Sequence, residues 1–365
     1  MRRDFGLVSR TISPAEFEAL RLPWNALVLA ADRPNPFLTW EWLQAWLETD
    51  PGGDPEPWMV TVWRDGKLVG GAPLCRDGGT LRFLAVSELD GDYADLLALP
   101  GLEDAVTDAI AGALLESSRW TQLKFEGIVA GALVERLAQR LAVFASCERL
   151  PFDVCPVLDV RGGWEPLLKR RFDGKRRYNI QREMRLAPER HGLAARSVSA
   201  MVDVPDAVET LFRLHRARKA LQRIESRFAE GRNATFHRSA AAKFEAAGWL
   251  ALDIIEQRGV PVAASYGFRF GGRFWFYQTG LDQAGAAAGA GAFALASRIA
   301  GSANDGTLEF DFLRGDEAYK ALWADRQIAL WTLYIFRNGI KGWLTHRLWG
   351  LRRTLAHAAQ RVRGR

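Results

Sequence analysis

Hydrophobic and polar positions predict a three-stranded meander in each of two separate parts of the chain. In the first part the apolar runs WMVTVW, KLVGGAPL and TLRFLAV are separated by Asp65-Gly66 and Gly78-Gly79. In the second part LALDIIEQ, VPVAASYGFRF and RFWFYQTG are separated by Arg258-Gly259 and Gly271-Gly272. Such dipeptides between apolar runs are typical of tight β-hairpin turns. The turn glycines are 13 residues apart in both parts, which indicates a repeated unit.

The sequence after each meander has the same order of elements. After the first meander, Glu103 to Ser118 has helical periodicity and WTQLKF has the pattern of a strand. After the second, Ala292 to Ala303 predicts a helix and TLEFDFL a strand. Three strands, a helix and a strand, occurring twice in this order, predict two copies of one α/β module.

Helical patterns also precede each meander. They cover Pro14 to Leu20 and Pro36 to Leu47 before the first, and Trp164 to Pro188, Val204 to Leu221 and His237 to Ala247 before the second. Ser13 and Pro14 form a typical helix start, with a capping side chain followed by proline at the first helical position.

The segment LPFDVCPVLDV, residues 150–160, is predicted to be a strand that crosses between the modules, because its apolar positions alternate around two prolines. We therefore expect a first module in residues 1–150 and a second in residues 151–325. A C-terminal strand and a basic helical tail then occupy residues 326–365.

Composition excludes several classes of protein. A chain of 365 residues with 48% apolar and 25% charged residues is ordinary for a globular protein of about two domains. Three cysteines, Cys75, Cys147 and Cys155, cannot form a disulfide framework, and neither Cys nor His has a metal-ligand spacing. We expect no metal, no signal peptide and no membrane-spanning segment, and hence a soluble cytoplasmic protein.

Charge is distributed unevenly along the chain. Residues 1–150 contain 14 Lys/Arg and 22 Asp/Glu, and residues 151–325 contain 26 and 21. The last 40 residues contain nine Lys/Arg and no acidic residue. Basic segments attract phosphates, lipid headgroups or nucleic acid, but docking of the tail onto the acidic first module is an equal alternative.

Five short segments, in the right order, resemble the GNAT superfamily of acyl-CoA N-acyltransferases. Within it they are most similar to the CelD-like branch with a BioF-type acetyltransferase domain, which is related to the FemAB-type double-GNAT proteins. The segments are NPFLTWEWLQAW, LDGDYADLL (residues 89–97), GKRRYNIQREMRL (174–186), FYQTGLD (276–282) and FDFLRGDEAYKALW (310–323). The resemblance implies two tandem modules, each a mixed, mostly antiparallel sheet flanked by helices, with a cofactor site in the second module only.

The cofactor site implied by the resemblance is the segment from Gln283 to Phe293, rich in Ala and Gly, which follows a strand and opens a helix. Free N–H groups and the positive end of the helix dipole suit the pyrophosphate of acetyl-CoA. The cofactor-binding residues are expected to be Gln278, Thr279, Gly289, Ala290, Gly291 and Ala292. The family pattern has Gln or Arg where this chain has Ala286. Tight packing of a small-residue helix against the sheet is the alternative.

Acyl transfer requires an oxyanion site and proton transfer groups. The strand end Tyr277–Gly280 is expected to present N–H groups, if it splays from its neighbour as in GNAT folds. Asp311 shares a strand face with Glu309 and is a candidate base, although a solvated sheet face is the alternative. In the segment GDEAYK, Tyr319 is the candidate acid and Lys320 its charge partner. A helix N-terminus capped by Asp316 is equally compatible with that segment.

Substrate contacts are expected from two further segments of the resemblance. Asp92 and Tyr93 belong to the Asp-Tyr-x-Asp segment, and Lys175 and Arg176 to the basic helix. Eight Lys/Arg lie between Lys169 and Arg185, a density that suits phosphate or carboxylate contacts, or simply a solvated helix face.

The tail from Gly339 to Arg365 is predicted to be a basic amphipathic helix. Its apolar side contains Trp343, Leu344, Leu348, Leu351 and Leu355. This side can pack against the domains or lie on an anionic membrane surface as a peripheral contact.

Together these observations predict an acyl-CoA-dependent N-acyltransferase, expected to be an acetyltransferase that uses acetyl-CoA. Its acceptor is expected to be a small molecule or glycan, such as an amino-sugar, polysaccharide or cell-surface precursor, and DNA is not expected as a partner. The alternatives are a FemAB-like aminoacyl transferase that uses charged tRNA, and a non-catalytic binding protein of polysaccharide assembly. The expected acceptor rests on analogy to the branch alone, because one fold hosts many functions. In the first alternative the basic helix would hold RNA, and the Ala at position 286 in place of Gln or Arg is the main support for the second.

Overall fold

The computed structural model of the chain describes residues 6–49, 55–86, 91–198, 201–228 and 231–363, with side chains described as far as residue 354. Leu89 and Asp90 of the Asp-Tyr-x-Asp segment lie outside the described residues, and so does the side chain of Leu355.

The first half begins with a strand and three helices and then forms a meander. Its elements are β1 (Leu7–Ile12), α1 (Pro14–Glu18), α2 (Arg21–Ala30), α3 (Trp40–Thr49), β2 (Glu56–Arg64), β3 (Lys67–Asp77), β4 (Thr80–Phe83), β5 (Leu97–Ala98), α4 (Glu103–Glu116), β6 (Gln122–Ile128) and α5 (Leu133–Leu141). A long strand, β7 (Ala145–Asp159), leads into the second half.

The second half repeats this order. Its elements are α6 (Trp164–Arg171), α7 (Gly174–His191), β8 (Leu193–Ser197), α8 (Val204–Leu221), α9 (Arg232–Ala246), β9 (Leu250–Gln257), β10 (Val260–Phe270), β11 (Arg273–Leu281), α10 (Gln283–Ala287), α11 (Ala290–Asn304), β12 (Glu309–Asp311), α12 (Ala318–Trp323), β13 (Arg326–Arg337) and α13 (Ile340–Arg363). The single helix expected from Trp164 to Pro188 is two helices. The break falls where Asp173 caps α7 by accepting a hydrogen bond from the Arg176 N–H at 2.7 Å.

All described strands form one sheet, in the order β1-β2-β3-β4-β6-β13-β7-β12-β11-β10-β9-β8, with β5 beside β3. This order is symmetric about its centre: β1 to β4 and β6 of the first half correspond to β8 to β12 of the second. Each predicted meander is antiparallel, and each is followed by a parallel strand, β6 beside β4 and β12 beside β11. The duplicated arrangement expected from the turn spacing is therefore present.

The two halves exchange strands at the centre of the sheet. β13 lies between β6 of the first half and β7, and it pairs with β7 along its whole length, from Arg326 with Val157 to Arg337 with Ala145. β7 in turn pairs with β12 of the second half. Each half is completed by a strand that the chain supplies from elsewhere, so the halves share one continuous hydrogen-bonded sheet.

Helices cover both faces of the sheet. On one face α2, α3, α8 and α9 enclose an aromatic core common to both halves, in which Trp42 of α3 contacts Phe236 and Phe244 of α9. On the other face α4 and α5 cover the first half, and α6, α7 and α11 cover the second. We call these the shared face and the outer faces.

Candidate functional site

A cleft of about 820 Å³ opens on the outer face of the second half. Helices α7 and α11 form its walls, strands β10 and β11 its floor, and the ends of α8 and α12 one rim. Residues from the predicted site that line it are Lys175, Arg176, Thr279, Gly289, Gly291, Ala292 and Tyr319. The structure thus brings together residues that are far apart in the sequence, from the basic helix, the end of β11, the Ala/Gly-rich segment and the GDEAYK segment.

The floor of the cleft ends at a gap between two parallel strands. β11 and β12 pair only as far as Trp275 and Asp311, yet β11 continues to Leu281. After Asp311 the chain turns away through Leu313, which has φ 55°, and bonds to β7 instead. Among the described strands, the far part of β11 is paired only with β10, so its other edge faces the gap.

A β-bulge lies where this gap opens. Tyr266 of β10 pairs with Gln278 and Gly267 pairs with Phe276, so Tyr277 is an extra residue on β11. A bulge changes the direction of the backbone groups on its strand. The strand end predicted to present N–H groups is therefore both splayed from β12 and locally re-aimed.

Small residues leave the start of α11 open to the cleft. Gly289 precedes the helix in the left-handed conformation with φ 71°, and no side chain caps the helix in the described part of the chain. The first helical bond here runs from the Phe293 N–H to the Gly289 carbonyl, so the N–H groups of Ala290, Gly291 and Ala292 precede it. A Cβ placed on Gly289 would meet nothing within 4 Å, and one on Gly291 only Leu281 at 3.6 Å. An anion therefore fits at this helix end.

Cationic side chains line the cleft to which this helix end opens, whereas position 286 is Ala. Lys175 and Arg176 line the cleft from α7, and Arg218 lines it from the last turn of α8. Arg218 also donates a hydrogen bond to the Thr279 hydroxyl on the floor. Sequence analysis missed Arg218. The cluster RARK at the end of its helix was the available signal, but only the packing of α8 against β11 brings it to the cleft.

Tyr319 stands at the rim where the cleft meets the gap. This residue lies in the first turn of α12 and is partly buried. Burial, together with the nearby Glu317 carboxylate, raises the pKa of Tyr319 to about 12, although Arg218 opposes this rise. The phenol is therefore protonated at neutral pH and can donate a proton.

Lys320 and Gln278 are turned away from the cleft. Lys320 is buried, and its ammonium donates to the Arg314 carbonyl and pairs with Glu317 at 2.9 Å. It holds the turn between β12 and α12. Gln278 points toward the shared face, where its side chain hydrogen-bonds His215 of α8. Neither side chain lines the cleft.

Asp311 departs from the expected geometry. It lies on the shared face with Trp275 and Tyr277, whereas Phe274, Phe276 and Phe310 lie on the opposite face and pack with α11. It accepts hydrogen bonds from the Tyr93 hydroxyl at 2.7 Å and from the Leu313 N–H at 2.8 Å. Burial raises its pKa to about 6. The alternating pattern of the sequence predicts that Asp311 and Glu309 share one strand face, but it does not indicate on which face of the sheet the cleft lies.

Glu309, which shares that strand face with Asp311, is paired with two arginines, one of β11 and one of β13. Glu309 accepts hydrogen bonds from Arg273 at 2.7 Å and from Arg326 at 2.6 Å. It therefore ties β12 to β11 and to the start of β13, and it does not line the cleft.

Asp92 and Tyr93 lie at the junction of the two halves, and neither lines the cleft. Both are buried, and Asp92 forms an ion pair with Arg314 and accepts from its backbone N–H at 3.1 Å. Burial raises the pKa of Asp92 to about 6. With Asp311 and Arg314, the Asp-Tyr pair fastens the first half to the turn that follows β12.

Comparisons with known proteins agree with this geometry. Residues 174–321 match the family model of the acetyltransferase (GNAT) domain, a span that includes the cleft. No curated protein sequence is significantly similar to the chain. The crystal structure of FemX has the same fold, with a TM-score of 0.61 and 10% identity over 93% of this chain and 99% of that one.

Two further solved structures share the fold. The C-terminal domain of a protein described as a lysylphosphatidylglycerol synthetase of Agrobacterium fabrum has a TM-score of 0.57 and 12% identity, over 92% of this chain and 96% of that one. A conserved protein of unknown function from Bacteroides thetaiotaomicron has a TM-score of 0.53 and 13% identity, over 91% of this chain and 100% of that one. Residues 174–321 thus match the acetyltransferase (GNAT) domain family, and the chain as a whole shares the mixed α/β fold of these solved structures.

Proposed function

We propose that this protein is an N-acyltransferase that takes its acyl group from acyl-CoA, with acetyl-CoA as the expected donor. One observation carries the proposal: the open N-terminus of α11 and the gap between β11 and β12 belong to the same cleft. A phosphate-binding helix end beside a free strand edge is an arrangement that suits a long donor with a pyrophosphate at one end and a thioester at the other.

The donor's phosphates would be held at the helix end. The N–H groups of Gly291 and Ala292 suit the pyrophosphate, and Lys175, Arg176 and Arg218 supply positive charge around it. The free edge of β11 offers N–H and carbonyl groups to the amide-bearing arm of the donor.

The reaction at the gap would be attack of a neutral amine on the thioester carbonyl. The carbon–nitrogen bond forms, the carbon–sulfur bond breaks, and the leaving thiolate takes up a proton from Tyr319. The proton that the amine nitrogen loses then restores the phenol. Backbone N–H groups near the Tyr277 bulge would stabilise the oxyanion. Tyr319 is the proton donor to the thiolate, since its phenol remains protonated at neutral pH.

Asp311 would act as a positioning residue in this reaction. It bonds the Leu313 N–H, and the left-handed turn at Leu313 directs the chain from β12 toward β7. That change of direction opens the gap. Asp311 therefore supports the gap from the opposite face of the sheet, without contact with the reacting groups.

The acceptor is proposed from the resemblance to the CelD-like branch: an amino-sugar, a polysaccharide or another cell-surface precursor. A second candidate function is aminoacyl transfer from charged tRNA. The fold shared with FemX and the six Lys/Arg of α7 beside the cleft favour it.

Calorimetric titration distinguishes these functions. We expect acetyl-CoA and CoA to bind the intact protein with one site per chain, and an Arg218→Ala variant to bind more weakly. Binding of a charged tRNA with no binding of CoA would favour aminoacyl transfer. Binding of neither donor, with retention of a polysaccharide, would favour a non-catalytic binding protein and would overturn the proposal.

A further inference from the structure

The C-terminal helix α13 packs on the sheet through one narrow side. His346 stacks on Phe336 of β13 with ring centroids 4.2 Å apart, and Trp349 contacts Tyr334 at 5.0 Å. His346 also approaches Glu148 of β7 at 3.6 Å. These contacts fix the rotation of the helix about its axis, and hence which residues face away from the protein.

The side turned away from the sheet is apolar. At about 100° per residue, the residues opposite Trp349 form one stripe along the helix. Its described members are Ile340 (81% exposed), Leu344 (47%), Leu348 (55%) and Leu351 (59%), with Trp343 (57%) at its border. We call this set the tail stripe. The side expected to pack against the domains, Trp343, Leu344, Leu348 and Leu351, is thus the exposed one.

Two more exposed apolar side chains adjoin the start of the helix. Asn338, two residues before α13, donates from its backbone to the Phe144 carbonyl at 2.8 Å and from its side chain to the Val143 carbonyl at 3.3 Å. Val143 and Phe144 are themselves exposed. Exposed apolar side chains therefore also lie in the turn before β7, close to the start of the helix, and a group of exposed apolar side chains of this size usually marks an interaction site.

The tail stripe is bordered by positive charge alone. Lys341 and Arg352 lie along one border of the stripe, and Arg347 lies on the other side with its guanidinium over the Trp343 ring. The last 40 residues of the chain contain no Asp or Glu. An apolar stripe with a tryptophan at its border and lysine and arginine beside it is the pattern of a helix that lies in the surface of a bilayer.

We propose that the tail stripe binds the surface of a membrane that contains anionic lipids, with α13 parallel to the bilayer plane. The apolar side chains enter the acyl boundary, and the cations contact the headgroup phosphates. No helix among the described residues is long and apolar enough to cross a membrane, so the contact is one of the surface only.

Charge argues against the other occupants of the stripe. A second copy docked stripe to stripe would bring Lys341 and Arg352 close to the same cations of its partner. Nucleic acid would pair with the cations but would leave the leucines in water. A bilayer with anionic headgroups satisfies both sets of side chains. This inference does not depend on the acyltransferase function.

Co-sedimentation of the full-length protein with vesicles tests the proposal. We expect binding to vesicles of phosphatidylcholine with 30% phosphatidylglycerol (about this fraction suffices to give a negative surface), and much weaker binding to phosphatidylcholine alone. Lys341→Gln with Arg352→Gln should lower the partition coefficient about 25-fold, since each cation near such a surface contributes about fivefold. Leu344→Glu with Leu348→Glu should lower it at least about tenfold. Leu22→Glu, at a still more exposed leucine of α2, is the control and should bind as the parent does.

Sedimentation velocity and RNA binding complete the test. Unchanged vesicle binding in both double variants would overturn the proposal. So would a parent protein that does not bind anionic vesicles but dimerises or binds RNA through residues of the stripe. Circular dichroism of each variant would show that the replaced side chains, all exposed, do not alter the fold.

Discussion

The two halves of the molecule have the same order of elements, yet the cleft described above lies in the second half. In that half β11 has nine residues and extends well beyond its parallel partner, whereas its counterpart β4 has four. The difference teaches that the order of elements alone does not make such a cleft. A site requires that the strand ends separate and that nothing else fills the space between them.

In the first half that space is filled by the chain itself. After β4, residues 91–98 fold back on the sheet, and β5 pairs with Gly70 and Gly71 of β3. Ala94 and Leu96 are buried in the outer core of this half. A Cβ on Gly70 would lie 2.3 Å from a Val106 methyl group, so α4 packs directly onto the sheet. In the second half, β10 and α11, the counterparts of β3 and α4, line the cleft.

The helix starts differ in charge as well. α4 begins with Glu103 and Asp104, whose carboxylates occupy the positive end of the helix dipole. α11 begins with Gly289 to Ala292, which have neither charge nor bulk. The first helix is stabilised by its own acids, whereas the first turn of the second contains no acidic residue.

The variant with the largest expected effect tests whether acyl transfer takes place at the cleft of the second half. Tyr319→Phe should lower the rate of acyl transfer by about 10²- to 10⁴-fold, because a general acid contributes about that factor. Release of the CoA thiol in the presence of a productive amine acceptor is the measurement. Tyr334→Phe, on β13 away from the cleft, is the matched control. Near-normal turnover in the Tyr319 variant would remove the phenol from the reaction.

Much of the fold could be predicted from the sequence because its signals are local. Turn dipeptides and alternating runs define both meanders, and helical periodicity defines α4 and α11. The exchange of β7 and β13 could not be predicted, because it depends on pairing between strands far apart in the chain. The helix that begins after Gly289 was predicted for the same local reason, because the glycines of that segment follow a strand and precede a run of helical periodicity.

The other site residues depended on information that the sequence pattern does not contain. Alternation places Asp311 opposite the phenylalanines of its strand, but tertiary packing decides which face has the cleft. Arg218 reaches the cleft only because α8 crosses β11 so closely that a Cβ on Gly280 would lie 2.6 Å from Leu214. Asp92 and Tyr93 were assigned to substrate from a motif, yet their buried partners tie the two halves together.

A glycine pair within α11 tests the donor site. Gly291→Val places a branched side chain beside the open helix N-terminus, where only Leu281 is near, and should weaken CoA binding at least about tenfold. Gly301→Val, in the same helix but away from the cleft, should bind CoA normally. Calorimetry measures both affinities and the stoichiometry. Equal affinities in the two variants, or two sites per chain, would contradict the difference between the halves.

Removal of Asp311 tests the junction between the halves. Asp311→Ala leaves the Tyr93 hydroxyl and the Leu313 N–H without their acceptor in the interior, which should lower the free energy of unfolding by about 1–3 kcal/mol. Glu309→Ala, whose carboxylate is more accessible to solvent, should cost less. Urea denaturation measures both. A larger loss in the Glu309 variant would mean that the strand edge, and not the junction, holds β12.

The buried histidines of the second half make its stability depend on pH. Burial, together with the nearby His215 and Arg227, lowers the pKa of His237 from an ordinary value of 6.5 to about 3. Between these values the unfolded chain binds a proton that the folded chain does not, so stability falls as pH decreases from 6.5. The slope is about 1.4 kcal/mol per pH unit for this residue.

The variant His237→Phe should remove that part of the slope, since phenylalanine suits the surrounding aromatic rings of Phe228, Phe236 and Tyr277. Unfolding free energies at pH 7, 6 and 5 give the comparison, and the difference between variant and parent isolates His237 from the other titrating groups. Parallel profiles for His237→Phe and the parent would show that this histidine is protonated in the folded state.

The smallest expected effect concerns the helix start of the first half. Glu103→Gln removes a charge from the first turn of α4, and should lower the free energy of unfolding by about 0.3–1 kcal/mol through the helix dipole. It should not create a second CoA site, because residues 91–98 and the contact of Val106 with the sheet still fill the space. Urea denaturation and the calorimetric stoichiometry measure the two effects. A second binding event in this variant would show that charge, and not packing, keeps the first half closed to ligand. One site per chain with the small loss of stability would assign the difference between the halves to packing.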